Sequence, residues 1–211
     1  FDLVVSFGIK IHKKNINLNK ITVLKYFKEI KRVLTSDGCL CAGLGNKYGF
    51  KKFSREIGYD VRDETYSDSF YGFSSILNSV GFKVKPYWVL PSYQKIHYSG
   101  SLIDGVSLKW FFRNLDIFLP ITLKFGIDKL LKKSNIILSK LIMKIFAPTF
   151  LFYCYNKKIP KTFEDMIVEK TGFANLIQLV RPRKIMYILF DKLGTPEKKL
   201  FCKISKYDLT E

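Results

Sequence analysis

The groups in this sequence able to do chemistry are few, and they stand at the ends of apolar runs. Of the two histidines, His12 follows Gly8 closely, just past the first such run. An imidazole there can serve as a general base, because its ordinary pKa lies near neutrality; the rival reading is a histidine that packs or meets solvent. Asn46 and Tyr48 follow a second run that closes with Gly43-Leu44-Gly45. Both can contact a substrate, although an Asn after a strand also makes turns. Tyr93 and His97 follow a third run in the same way, as pocket residues or as packing. Gly43-Leu44-Gly45 is not a phosphate loop, since no glycine-capped helix start comes after it. The four cysteines are Cys39, Cys41, Cys154 and Cys202. Cys39 and Cys41 alternate along one strand, so their side chains share a face and do not readily close on each other. No histidine accompanies a cysteine pair, so no metal site is expected, and a reducing, cytoplasmic compartment is the default.

These residues need elements to position them. Phe1-Asp2-Leu3-Val4-Val5-Ser6-Phe7 is a continuous apolar run, as in a parallel strand buried on both faces, and Gly8 stops it. Over 19–34, Ile21, Leu24, Phe27, Ile30 and Leu34 recur every three or four positions against Lys20, Lys25, Lys28, Glu29 and Lys31, which predicts an amphipathic helix. Thr35-Ser36-Asp37-Gly38 breaks that helix, and 39–44 is a second apolar strand. Strand, helix, turn and strand in this order predict two parallel neighbours bridged by a crossover. After a polar loop over 47–65, Ser67 or Ser69 caps a helix with Phe70, Phe73, Leu77 and Val80 on one side, closed by Gly81. Residues 82–90 make a third strand, which Pro86 assigns to a sheet edge or a bulge, and 90–93 lead into a loop.

Residues 102–146 read as helical, with a break near Pro120. The second half sets Leu123, Ile127, Leu130, Leu131, Ile137, Leu138, Leu141, Ile142 and Ile145 on one face, with Lys124, Lys129, Lys132, Lys133, Lys140 and Lys144 elsewhere. A basic amphipathic helix packs on its own domain or lies on a membrane, so peripheral membrane contact through 123–146 stands beside ordinary packing. A transmembrane span over 136–155 is the weaker reading, because it buries Lys140 and Lys144. Ala147-Pro148-Thr149 ends the helices, and 150–155 is a fourth strand. Past Lys157-Lys158-Ile159-Pro160 the pattern changes to three short strands over 175–180, 184–190 and 199–205, joined by tight turns. The expected division is 1–157, with a helical insertion over about 102–146, and 158–211 as the start of a second, β-rich module.

A hydrophobic share of 47% and an aromatic share of 16% are values of a folded chain. The net charge of +18 would attract polyanions. The lysines are scattered, however, without the arginine clusters and interleaved aromatics that grip phosphates and bases, which argues against specific nucleic-acid binding. The sequence opens inside an apolar run, which suggests a fragment.

Several of these words occur together elsewhere. Phe1-Asp2-Leu3-Val4-Val5-Ser6-Phe7-Gly8 matches a strand written F-D-x-V-x-x-x-x. The stretch from Phe27 to Leu40, with Glu29, Arg32-Val33-Leu34 and Gly38, is similar to L-x-E-x-x-R-V-L-K-P-G-G-x-L, with Ser36 and Asp37 in place of Pro and Gly. Asn46-Lys47-Tyr48-Gly49, Tyr66-Ser67, Leu77 with Val80-Gly81-Phe82, Leu90-Pro91-Ser92-Tyr93 and Ala147-Pro148-Thr149-Phe150-Leu151 extend the pattern. Over 1–157 the chain thereby resembles the carboxyl-terminal half of the class I, Rossmann-like, S-adenosylmethionine-dependent methyltransferases. The fold this implies is α/β: half of a mostly parallel sheet with helices on both faces, ending in an antiparallel strand and here followed by a small β-meander.

The resemblance implies S-adenosylmethionine as cofactor, with Ser6, Phe7 and Gly8 lining its methionine side. It puts His12 in a loop that commonly carries an acidic-histidine pair, with Ile11 in the acidic position, and makes Asn46, Tyr48, Tyr93 and His97 candidates for the methyl acceptor's pocket. The glycine-rich cofactor loop would lie upstream of Phe1, so these residues alone would be inactive. The expected activity is methyl transfer to a small molecule or glycan-type metabolite, in the cytoplasm or at a membrane periphery. Rival expectations are a degenerate methyltransferase fold acting as a membrane-surface scaffold, and a bifunctional methyltransferase-phosphotransferase. The last arises because Lys184 to Tyr207 distantly resembles the first strands of a kinase-like small lobe, where Lys203 would meet nucleotide phosphates.

Overall fold

The computed structural model describes residues 1–9, 16–49, 66–92, 95–103, 106–113, 133–157, 159, 175–181, 184–190 and 196–203. The fold is α/β, a mixed open sheet with four helices among the described residues. Strand β1 (Leu3–Phe7) is followed by helix α1 (Ile16–Val33) and strand β2 (Cys39–Asn46). β1 and β2 run parallel in register from Leu3↔Cys39 to Phe7↔Gly43, the arrangement that the order of apolar runs predicts. The stripe that α1 buries is Val23, Phe27, Ile30 and, just past its end, Leu34; Ile21, expected in it, is exposed. Lys31, in the last turn, donates to the carbonyls of Val80 and Gly81, both at 2.9 Å. That contact fastens the carboxyl end of α1, where a cation is favoured, to the next helix.

The two-residue strand β3 (Ser67–Asp68) pairs parallel with Gly45 and Asn46 and leads into helix α2 (Phe70–Ser79). Of the two serines expected as caps it is Ser69 that serves, its hydroxyl accepting from the Gly72 N–H at 3.0 Å. Gly81, at φ +86°, turns the chain into strand β4 (Lys83–Ser92). β4 is interior, between β5 (Lys95–Ser101) and β6 (Thr149–Tyr155), and its irregularity falls at Leu90/Pro91 rather than at Pro86. The edge expected for Pro86 is therefore corrected. The Pro86 carbonyl accepts from the Leu102 N–H just past the end of β5. Because N and C=O of one strand residue point to the same side, the missing donor also lies beyond the last β4–β5 rung and costs no ladder bond.

Strand β5 occupies residues expected to be loop. Its Gly100 lies under the Trp88 indole, where a Cβ would stand 2.8 Å from Nε1, so this glycine permits the large ring to lie flat on the strand. Of the stretch expected to be helical over 102–146 with a break near Pro120, the described residues show helix α3 (Val106–Arg113) and helix α4 (Ile136–Phe146), the latter started by Asn135 capping the Leu138 N–H. Pro120 and the residues around it lie outside the described residues. The span considered over 136–155 is an eleven-residue helix followed by a strand. No described helix is long and apolar enough to cross a membrane.

β6 runs antiparallel to both neighbours, β2 and β4, which puts β1, β2 and β4 in one common direction. Its alternation serves two faces. Phe150, Phe152 and Cys154 join Leu40, Ala42 and Leu44 of β2 and Trp88 and Leu90 of β4 in the main core. Buried side chains of all four helices are in that same core, which places the described helices on one face of the sheet. Cys41, Tyr87, Val89 and Leu151 form a smaller cluster on the other face. Beyond β5 the meander appears as β7 (Asn175–Arg181), β8 (Lys184–Phe190) and β9 (Pro196–Lys203). β7 continues the sheet by pairing Tyr98↔Leu179 and Ser99↔Gln178 of β5.

Phe152 is fully buried, with ring centroids 5.9 Å from Phe70, 6.2 Å from Phe73 and 6.0 Å from Phe150. Phe152→Ala should lower stability by about 3–5 kcal/mol in urea titration, since the cavity opens under three rings that the sheet backbone keeps from collapsing. A loss under about 1 kcal/mol would mean that this face is not the core.

Candidate functional site

With β1, β2 and β4 aligned, their carboxyl ends lie along one edge, and in an open sheet ligands sit outside such ends. β3 continues in line with β1 at this edge: the Tyr66 N–H donates to the Ile9 carbonyl at 2.7 Å, and Asp68 pairs beside Asn46. The crevice thus joins four short pieces: Ser6 to Ile9, Gly43 to Gly49, Tyr66 to Ser69, and the lead-in to β6.

Gly8 leaves β1 at φ +70° while its N–H still donates to the Gly43 carbonyl at 2.9 Å. Only glycine takes that conformation without cost, so the ladder holds to its last rung and the chain then turns away. Ser6 is buried and its hydroxyl shares a 2.9 Å hydrogen bond with Tyr26 of α1, so the serine faces the helix layer. Phe7 points to the opposite face and is half exposed.

Asn46 is 3% exposed. Its Nδ2 donates to the carbonyls of Ile145 and Ala147, both at 2.7 Å, and its Oδ1 accepts from the Tyr48 N–H at 3.1 Å. The amide therefore holds the end of α4 against the end of β2 and makes an Asx turn. Tyr48 is 59% exposed at the rim, with the Lys47 ammonium 5.8 Å from its ring centre. Of the other residues singled out above, His12 and Tyr93 lie outside the described residues. His97 is in β5, three strands from β2, about 14 Å away at ~4.8 Å per strand. Lys203 is in β9 opposite Lys184, at the far end of the strand order from this crevice.

Sequence reasoning missed Asp68 as a site residue. Its Oδ2 accepts from the Tyr66 hydroxyl at 3.0 Å and its Oδ1 from the Ser69 N–H at 2.7 Å. Gly72 passes so close that a Cβ there would meet the carboxylate, so the acid is walled in on that side. Asp68 is half-buried and stands before the amino end of α2, where negative charge is favoured. The Tyr66 hydroxyl is held above its ordinary value of 10.0, first by burial and then by the Asp68 charge and the hydrogen bond to it. Tyr66 is thus a neutral donor across the physiological range, and it fixes one carboxylate oxygen while the group as a whole keeps access to solvent. The signal available in the sequence was Tyr66-Ser67-Asp68-Ser69, a polar tetrapeptide just before a capped helix.

On the face away from the helices, burial raises the Cys41 thiol to about 11, with the Cys39 charge adding to it and the Tyr153 hydrogen bond opposing. Cys154 is also raised by burial, and Cys39, Cys41 and Cys154 are free thiols. Thiols in this state are poor nucleophiles. Among the described residues no cluster of histidine, cysteine and acid could hold a metal ion. No family model and no curated protein matches the chain.

Two outcomes follow from this geometry. Asn46→Ala removes the partner of one buried and one half-buried carbonyl and should cost about 1–3 kcal/mol in urea titration; no loss would show that α4 is held by other contacts. A group whose folded pKa is raised contributes stability that is complete below its unfolded value and is lost as pH rises towards the folded value. The wild-type protein should therefore lose stability above about pH 10 more steeply than Tyr66→Phe, and parallel stability curves would refute the raised hydroxyl.

Proposed function

We propose that this chain is the carboxyl-terminal half of a Rossmann-like, S-adenosylmethionine-dependent methyltransferase acting on a small molecule or glycan-type metabolite. The observation that carries the reading is the parallel pair β1–β2, whose exits border one crevice, with β6 entering antiparallel between β2 and β4. Two further features support it. β1 is the edge strand in the described order, yet Leu3, Val5 and Phe7 are exposed on its helix-free face, as suits a strand from the middle of a wider, doubly covered sheet. The turn Thr35 to Gly38 is fastened to the start of β1, Thr35 N–H and Cys39 N–H donating to the carbonyls of Phe1 and Asp2 at 2.9 Å.

The residues at the first exit suit the cofactor's methionine side in one respect and constrain it in another. Gly8 brings backbone without a side chain to the crevice, whereas the Ser6 hydroxyl is engaged with Tyr26, so Ser6 offers its main chain alone. S-adenosylmethionine, when bound, supplies a methyl group on an already activated sulfonium. The protein's work is then alignment and exclusion of water. Asn46 keeps the floor of the crevice rigid, Tyr48 stands at its rim, and Asp68, oriented by Tyr66 and the Ser69 N–H, is the carboxylate positioned to hold a hydroxyl or ammonium of the acceptor. The scattered lysines favour a small acceptor over nucleic acid.

Calorimetric titration of the full-length gene product with S-adenosylhomocysteine tests the reading. Saturable binding that S-adenosylmethionine displaces and ATP does not is the expected result. Gly8→Val, with its fold checked by circular dichroism, should weaken binding about tenfold or more, ~1.4 kcal/mol. If neither sulfur compound binds, the assignment to methyl transfer fails.

A further inference from the structure

Helix α4 presents an apolar face outward. Ser139 and Met143 are its buried residues, and the Ser139 hydroxyl pairs with that of Ser134 at 2.7 Å. On the opposite side, Ile137 is 78% exposed and Leu141 43%, with Leu138 exposed beside them and Ile145 continuing the row at the same four-residue spacing. The apolar side from Ile137 to Leu141 therefore faces solvent, and the half-buried Ile145 extends it by a further turn. The exposed Tyr71 of α2 adjoins this surface, since the Lys144 ammonium lies 5.8 Å from its ring centre and 5.1 Å from that of Phe70. Lys133, Lys140 and Lys144 accompany the row, and α4 contains no acidic residue.

We propose that this face docks on the surface of an anionic lipid bilayer, an inference independent of the methyl-transfer reading. An exposed apolar row of this length is unusual on a monomer surface. Flanking ammonium groups on flexible stems suit anionic headgroups, while the row enters the boundary with the acyl chains. Eleven residues span about 16 Å at ~1.5 Å each, against a hydrocarbon core of ~30 Å, so the helix lies along the surface and does not cross. A second copy of the chain is a poor occupant. Pairing the face with itself would bring lysines together with no acid on the helix to answer them, in a protein of net charge +18.

The test is co-sedimentation of the full-length protein with vesicles of equal parts phosphatidylglycerol and phosphatidylcholine, against pure phosphatidylcholine. Binding is expected to the anionic vesicles alone, weakened by added salt and abolished in the double variant Ile137→Glu with Leu141→Glu. Because both side chains are exposed, that variant should keep its circular dichroism spectrum and melting temperature. Lys133→Gln and Lys140→Gln should each weaken binding about fivefold. Equal binding to both vesicle types, or equal binding by the double variant, would overturn the proposal. Absence of vesicle binding together with a dimer that the double variant dissociates would assign the face to self-association instead.

Discussion

Strand β6 has to satisfy two neighbours over the same seven residues, and the rest of the sheet follows from that demand. Thr149 to Tyr155 pairs with β2 on one side and β4 on the other, antiparallel to both. A backbone flanked this way has its donors and acceptors taken on both edges, so a slip by one residue would turn Phe150 and Phe152 out of the main core and bring Leu151 and Tyr153 into it. The register is therefore fixed by aromatic packing as much as by hydrogen bonds. Phe70 and Phe73 of α2 lie against Phe152, which ties the helix layer to the strand that arrives last in the central sheet.

The same demand shapes the crevice. Because β6 starts opposite Gly45, the chain entering it from α4 must pass over the end of β2, and Asn46 meets that passage with its side-chain amide. The interaction closes a corner between residues 99 and 101 positions apart in sequence. β3 adds a second closure by standing in line with β1. At this edge Asp68 is held by Tyr66 and Asn46 by carbonyls. Such an edge positions a reactant more than it attacks one, consistent with chemistry in which the bound reactants carry the reactivity.

Local pattern made much of this legible. Gly8, Gly38 and Gly81 each ended or turned an element where the sequence showed them, and the spacing of Phe27, Ile30 and Leu34 gave the buried stripe of α1. The failures share a cause. β5 was hidden because Ser99-Gly100-Ser101 is a poor strand in isolation; the Trp88 ring above Gly100 and pairing with β4 supply what the local sequence lacks. Pro86 looked like an edge residue because a missing donor usually needs one, yet a ladder that ends at that rung serves equally well. Asp68 was passed over because, although Tyr66 stands only two residues away, its place at the crevice comes from β3 pairing with the end of β2, which sequence spacing does not record.

The sequence by itself determined the parallel pair β1–β2 with its bridging helix, the capped helix α2 and the final strand of the central sheet, since alternation, periodicity and glycine turns are properties of a few neighbouring residues. Only the tertiary structure decided which strands lie side by side, where Pro86 and Gly100 are tolerated, and which side of α4 faces inward. Ile137 and Ile142 are alike as residues, and it is the shape of the core beneath Ser139 and Met143 that leaves one in solvent and packs the other. Burial depends on what arrives from elsewhere in the chain, and no local pattern records that.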